Sequence, residues 1–153
     1  EEFHRWFVEA AGGEATLDDL RKAASDIFVL NEPMPDLLAA LKQRGHRLVL
    51  LSNTSISHFE FIRQRYEILD LFDDYVLSYR VGAVSPEPAI FEAALAAIRC
   101  EPGECFYTDD IAAYIDAARR YGLQAEVFTT ADALREHLAA RGIVLDSISH
   151  ERA

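Results

Sequence analysis

The stretch Cys105-Phe106-Tyr107-Thr108-Asp109-Asp110 places an apolar run directly before two adjacent carboxylates. Such a run is typical of a short buried strand, and the carboxylates at its end repel each other unless a cation lies between them. Carboxylate oxygens are hard ligands that suit Mg²⁺. The stretch therefore predicts a strand that ends at a magnesium site, with Asp109 and Asp110 as the metal ligands.

The rest of the chain alternates between helical and strand-like patterns. The predicted helices are 36–44, 56–66, 86–98, 111–121 and 130–142, and the predicted strands are 47–51, 75–78, 105–108 and 124–128. Strands separated by helices of about ten residues or more pair in parallel. The predicted fold class is therefore α/β, a doubly wound parallel Rossmann-like sheet, in which ligands bind at the carboxyl ends of the strands.

A domain boundary is predicted at the breaker Asn31-Glu32-Pro33-Met34-Pro35. Residues 1–32 carry apolar side chains at helical spacing and are predicted to form two helices, the second capped by Thr16. Residues 33–146 hold the alternating strands and helices, and the polar end 147–153 is predicted to fray. A chain of 153 residues, half of them hydrophobic, is long enough for one well-filled core.

Charge and hydropathy narrow the classes of partner. Lys and Arg number 15 against 26 Asp and Glu, which gives a formal net charge of −11. Such a surface repels nucleic-acid backbones and anionic lipid, so neither nucleic acid nor a membrane is an expected partner. The apolar runs are far shorter than the roughly 20 residues of a membrane helix, and we expect a soluble, cytoplasmic protein. Cys100 and Cys105 match no metal or redox spacing and are expected to be reduced.

A second strand end carries polar groups of a different kind. The predicted strand 47–51 runs into Ser52-Asn53-Thr54, which offers hydroxyls, an amide and backbone N–H groups at the start of a helix. This combination is suited to bind an anion such as phosphate. Because strand ends converge in a doubly wound sheet, a phosphate cradle would face the magnesium site, and phosphoryl chemistry is the predicted function.

Three segments resemble the second, third and fourth motifs of the haloacid dehalogenase (HAD) superfamily, in the subgroup with a small helical cap. They are LVLLSNT at 48–54, LSYRVGAVSPEPAIF at 77–91 and CFYTDDIAAYIDAARRYGLQA at 105–125. The resemblance runs from about Pro33 to Phe128, and the three motifs occur in the same order as in the family. Residues 1–32 resemble the last part of the cap. It implies a HAD-like core and a hydrolase of the phosphatase type that uses Mg²⁺ to act on a small phosphorylated metabolite.

The resemblance also assigns roles to individual residues. Ser52 would hydrogen-bond the transferring phosphoryl group and Asn53 would orient the substrate, so both are candidate catalytic residues. The substrate-binding set is Ser52, Asn53, Thr54 and Ser85, and the metal ligands are Asp109 and Asp110.

Two departures from the family pattern bear on activity. The family's first motif is a strand ending in Asp-x-Asp, which supplies the nucleophile and the general acid and base, and no Asp-x-Asp occurs in this chain. In the resembled fold that strand is central, between the strands that end near Ser52 and Asp110, so its absence predicts a gap in the sheet. The family also has a lysine where this chain has Ser85, and a hydroxyl cannot replace a full positive charge. Activity of this chain by itself is therefore expected to be impaired or absent.

Other interpretations of the same residues remain open. The chain is also compatible with a non-catalytic HAD-fold binding or assembly module, and less well with a receiver domain, whose acidic pair would follow the first strand. Asp109 and Asp110 suit a helix start through the helix dipole. Ser85 before Pro86 is predicted to be a helix N-cap with proline in the first turn, and Arg80 is expected to be solvated rather than to replace the missing lysine.

Overall fold

The computed structural model describes Thr16 and residues 29–145. In chain order the elements are helix α1 (Pro33–Gln43), strand β1 (Val49–Ser52), α2 (Ile56–Arg65), β2 (Asp74–Leu77), the short α3 (Ser78–Val81), α4 (Pro88–Ile98), β3 (Phe106–Asp109), α5 (Ala112–Arg120), β4 (Gln124–Val127) and α6 (Ala131–Ala139). The predicted α/β fold is confirmed, with each predicted strand and helix of this region present. The helices predicted before residue 29 and the predicted tail 147–153 lie outside the described residues.

The described residues divide into two compact units. Residues 31–54 and 68–145 belong to the larger unit, which contains all four strands, and residues 55–67 with helix α2 belong to the smaller one. Helix α2 begins where the hydroxyl of Ser55 accepts a hydrogen bond from the N–H of His58 at 3.3 Å. Among the described residues, no helix is long and apolar enough to span a membrane.

The four strands form two separate parallel pairs. In the first pair β1 lies beside β2, with Val49 opposite Asp74. In the second pair β3 lies beside β4, with Phe106 opposite Gln124. Within residues 29–145 no strand pairing joins the two pairs, so β1 and β3 each have a single hydrogen-bonded neighbour.

Both strand pairs pack against the same two groups of helices. One hydrophobic cluster combines buried residues of α4 and α5, such as Phe91 and Ile115, with Leu51 of β1 and Tyr107 of β3. The other combines buried residues of α1 and α6 with apolar residues of the strand region; its members include Leu37, Leu41, Leu134, Leu138, Leu48 and Phe106. The strand pairs therefore lie between two helix-packed hydrophobic clusters, which is the layered arrangement of a doubly wound fold.

Strands β1 and β3 are less buried than their place in such a fold predicts. All four residues of each strand are partly exposed, whereas Val76 and Leu77 of β2 are buried. In a parallel sheet covered by helices on both faces, the inner strands are normally the most buried ones. The apolar side chains of β1 and β3 are thus more exposed to solvent than apolar side chains of inner strands normally are.

Local signals set several element ends where the sequence predicts them. Thr130 caps α6, because its hydroxyl accepts a hydrogen bond from the N–H of Ala133 at 3.1 Å. Gly122 follows α5 with a φ of +83°, a left-handed conformation that glycine adopts without strain. Both thiols are free cysteines, as predicted, and burial raises the pKa of Cys105 to about 11.

Candidate functional site

Asn53 connects the end of β1 to two other segments of the larger unit. Its Nδ2 donates to the carbonyl oxygen of Ser85 at 3.2 Å and to the phenol oxygen of Tyr114 at 3.0 Å. The N–H of Ser85 in turn donates to Asn53 Oδ1 at 2.8 Å. One side chain therefore fixes the loop before α4 and the first turn of α5 against the end of β1.

The backbone of Thr54 is hydrogen-bonded to the side chain of Ser78, the residue that follows β2. The N–H of Thr54 donates to Ser78 Oγ at 2.9 Å, and Ser78 Oγ donates to the carbonyl oxygen of Thr54, also at 2.9 Å. Ser78 is 7% exposed, so this pair is shielded from water. The Thr54 N–H, which the sequence suggests as part of an anion cradle, is thus already paired. Ser52 beside it is half-buried, and its hydroxyl forms no hydrogen bond to another described residue.

Ser85 lies in this site but not in the role of a helix cap. Helix α4 begins at Pro88 with Glu87 as its N-cap, and the Glu87 carboxylate accepts a hydrogen bond from the N–H of Val84 at 2.8 Å. The prediction that Ser85 caps this helix is wrong, because pairing with Asn53 holds the Ser85 backbone three positions before the first residue of the helix. Ser85 is 4% exposed, and its buried hydroxyl has no hydrogen-bond partner in the part of the chain that the structure describes.

The acidic pair lies at the carboxyl end of β3. Asp109 Oδ1 accepts a hydrogen bond from the N–H of Ile111 at 2.8 Å, and Asp109 Oδ2 accepts one from the phenol of Tyr107 at 3.1 Å. Burial raises the pKa of the Asp109 carboxyl, the two hydrogen bonds oppose this rise, and the charge of Asp110 adds to it. The pKa of Tyr107 is also raised, first by burial and then by Asp109, so the phenol stays protonated and donates.

The site contains two adjacent carboxylates and no compensating cation among the described residues. None of the ion pairs of residues 29–145 includes Asp109 or Asp110. Arg80 is exposed, and its Nε donates to the phenol oxygen of the neighbouring Tyr79 at 3.1 Å. The two carboxylates at the end of β3 therefore have no Lys or Arg ion-pair partner among the described residues.

The donor set at this position fits Mg²⁺ loosely. Two carboxylates are enough for Mg²⁺ only when the ion keeps several of its waters. No group of three or more His, Cys, Asp or Glu residues that suits a metal ion occurs among the described residues.

Tyr114 is the site residue that sequence reasoning missed. It is half-buried in the first turn of α5, and its phenol oxygen accepts the hydrogen bond from Asn53. In the sequence it occurs at helical spacing with Ile111 and Ile115, which is the pattern of a packing residue. Its distance of five positions from Asp109 was the available signal, since that spacing brings it to the end of β3.

A shallow cavity lies on another part of the larger unit. It has a volume of about 320 Å³ and is lined by residues of β2, α3 and α4, among them Tyr75 and Ala96. None of the predicted site residues lines it.

Comparison with known sequences gives a consistent family. A sequence model described as haloacid dehalogenase-like hydrolase matches residues 2–122. Over 112 residues the chain is 30% identical to the bifunctional epoxide hydrolase 2 of Rattus norvegicus. The aligned region covers 70% of this chain and 20% of that enzyme. Over 134 residues it is 32% identical to the glyceraldehyde 3-phosphate phosphatase of Methanothermobacter thermautotrophicus. This alignment covers 80% of this chain and 58% of that enzyme. The chain spans less than two thirds of the length of either relative.

A solved structure supports the same assignment. The wild-type HAD family enzyme from Bacteroides thetaiotaomicron, in complex with magnesium and inorganic phosphate, superposes with a TM-score of 0.71 at 25% sequence identity. The match covers 85% of this chain and 69% of that enzyme.

Proposed function

Because the chain belongs to the haloacid dehalogenase-like hydrolases, we propose that it forms the greater part of a Mg²⁺-dependent phosphatase that hydrolyses small phosphomonoesters. The observation that carries the proposal is the pair Asp109 and Asp110, which ends β3 without a Lys or Arg ion-pair partner among the described residues. Two adjacent carboxylates favour a divalent cation, and such an ion bound there would attract a phosphate dianion. The relative named for glyceraldehyde 3-phosphate supports a small phosphorylated metabolite as the substrate class.

Each site residue has a role in this proposal. Asp109 and Asp110 would hold Mg²⁺, which would supply positive charge for the phosphoryl group. The Ser52 hydroxyl, which forms no hydrogen bond to another described residue, donates to a phosphoryl oxygen. Asn53 and Thr54 keep the end of β1 in place through their hydrogen bonds to Ser85 and Ser78.

The nucleophile has to come from a strand that the present sequence lacks, since it contains no Asp-x-Asp. We place this strand between β1 and β3, in parallel with both. The separation of the sheet into two pairs supports this position, as does the partial exposure of every residue of β1 and β3. The first aspartate of that strand attacks the phosphorus atom and forms an aspartyl-phosphate, and the second protonates the leaving alcohol and then activates water.

The full-length protein, meaning this chain together with that strand, is a slow phosphatase in this proposal. The neutral Ser85 stands where the family has a lysine, and losing one electrostatic contact of this kind costs about 10²–10³ in rate. The same substitution is the main support for the rival function, a HAD-fold module that binds a partner without catalysis.

Phosphate release separates the two functions. We expect the full-length protein to release inorganic phosphate slowly from a panel of small phosphomonoesters when Mg²⁺ is present. Replacement of Asp109 by Asn should abolish the release, whereas Asp132→Asn in the first turn of α6 should leave it unchanged. Release that persists in Asp109→Asn or without Mg²⁺ is incompatible with the proposal, and no release from any ester favours the non-catalytic module.

A further inference from the structure

We propose that Tyr107 is a positioning residue for the metal site, because its phenol holds the carboxylate of Asp109 in one fixed orientation, ready to bind Mg²⁺. The inference rests on the proposed function for the identity of the cation. It gives Tyr107 a role that acts through Asp109, without direct contact between Tyr107 and the metal or the substrate.

Two hydrogen bonds hold the Asp109 carboxylate. Tyr107 and Asp109 lie two positions apart in β3, so their side chains are on the same face of the strand. The phenol of Tyr107 donates to Asp109 Oδ2 at 3.1 Å, and the N–H of Ile111 donates to Asp109 Oδ1 at 2.8 Å. Each oxygen of the carboxylate is therefore held by its own donor, which restricts rotation of the side chain.

The Asp109 carboxylate can still bind a cation. An ionised carboxylate has about four lone-pair sites, and the two donors use one site on each oxygen. A carboxylate that is already ordered loses little conformational freedom when a metal binds, so the ordering favours binding. Carboxylate ligands of metal ions are commonly hydrogen-bonded in this way, and loss of such a partner typically costs about 10–100-fold in metal affinity or activity.

The ring of Tyr107 is fixed by the hydrophobic core. It packs edge to face against Phe91, with ring centroids 6.2 Å apart and an interplanar angle of 80°. Phe91 is fully buried and also stacks on Tyr121, with centroids 5.3 Å apart. Because the core sets the place of the ring, the phenol oxygen is a rigid donor, and this rigidity suits it to orient a metal ligand.

The test is a calorimetric titration of the full-length protein with Mg²⁺ in the absence of substrate. Tyr107→Phe removes only the phenol hydroxyl and should weaken Mg²⁺ binding by about tenfold or more. Tyr121→Leu, at the C-terminal end of α5, is the matched control because it removes the other ring that packs against Phe91. This control should lower the melting temperature and leave the Mg²⁺ affinity unchanged.

Phosphate release gives a second readout. Tyr107→Phe should need more Mg²⁺ than the wild type to reach half of its maximal rate. Its rate at saturating Mg²⁺ should stay close to that of the wild type, because the hydroxyl acts on metal binding and does not contact the substrate.

Unchanged Mg²⁺ affinity in Tyr107→Phe, or no Mg²⁺ binding by the wild type, overturns the inference. An equal loss of affinity in Tyr121→Leu also overturns it, since the effect would then come from core packing and not from the hydroxyl. Mg²⁺ binding that depends on the Tyr107 hydroxyl, without hydrolysis of any ester, supports the inference and rejects the phosphatase. Mg²⁺-dependent hydrolysis with unchanged Mg²⁺ affinity in Tyr107→Phe supports the phosphatase and rejects the positioning role.

Discussion

The side chain of Asn53 pairs with both the N–H and the carbonyl oxygen of Ser85, at 2.8 and 3.2 Å. The two residues are 32 positions apart in the chain, so this double hydrogen bond fixes the relation between the end of β1 and the loop before α4. It also explains why residue 85 is buried and does not cap the helix that follows.

Removal of the Asn53 amide should destabilise the larger unit. Asn53→Ala loses the bonds to Ser85 and Tyr114 and leaves backbone groups of the 4%-exposed Ser85 unpaired. We expect the free energy of unfolding, measured by urea denaturation, to fall by about 1–3 kcal/mol. Asn31→Ala, at an exposed position of the same unit, is the control and should stay within about 0.5 kcal/mol of the wild type. Equal stability of the two variants would show that the Asn53 bonds do not hold the loop.

Hydrogen exchange should reveal the gap in the sheet. In the given chain, the amides on the unpaired edges of β1 and β3 should exchange quickly, because each strand has one hydrogen-bonded neighbour. In the full-length protein, these amides should become protected, while the protection of β2 and β4 changes little. Protection of every amide of β1 and β3 in the chain alone would exclude an unfilled position between them.

Magnesium binding by the given chain should be weak and should depend on both carboxylates. Asp109 and Asp110 supply too few protein oxygens to replace most of the waters of Mg²⁺. Calorimetry should give a low affinity that Asp109→Ala and Asp110→Ala each abolish, and that the control Asp132→Ala leaves unchanged. Tight binding that survives both substitutions places the metal elsewhere.

The sequence predicts the parts of this molecule that depend on local pattern. The alternation of apolar runs and helical segments gives the parallel α/β fold, and the polar residues after each run place Ser52 and Asp109 at strand ends. Contacts between distant segments are not accessible to the same reasoning. The Asn53–Tyr114 bond joins residues 61 positions apart, and Tyr114 has the helical spacing of a core residue. Helix α4 starts at Pro88 and not at Pro86, because the Ser85 backbone pairs with Asn53, and no local signal in the sequence indicates that pairing.

Acid should weaken the contribution of Glu126 to stability. The hydrogen bond from Arg141 lowers the pKa of Glu126 below its ordinary value of 4.5, and Arg119 adds to this. A lowered pKa stabilises the folded state above pH 4.5, and the contribution is lost as the pH falls through the folded-state pKa. Glu126→Gln should therefore reduce the free energy of unfolding by about 0.5–1 kcal/mol at pH 7 and by less at pH 3. Glu136→Gln, at an exposed position of α6, is the control, and an effect of Glu126→Gln that is equal at both pH values would contradict the prediction.

The phosphatase assignment is tested most directly by the turnover of p-nitrophenyl phosphate. The full-length protein with Ser85→Lys is measured in the presence and in the absence of Mg²⁺. A lysine at position 85 restores the positive charge that the family has there, and we expect turnover with Mg²⁺ to rise by at least about tenfold. One electrostatic contact of this kind is typically worth about 10² in rate. Because Ser85 is 4% exposed, the larger side chain should also cost about 1–3 kcal/mol of stability through overpacking. A folded Ser85→Lys protein that stays inactive with Mg²⁺ across a broad panel of phosphomonoesters would contradict the phosphatase assignment and leave the non-catalytic module in its place.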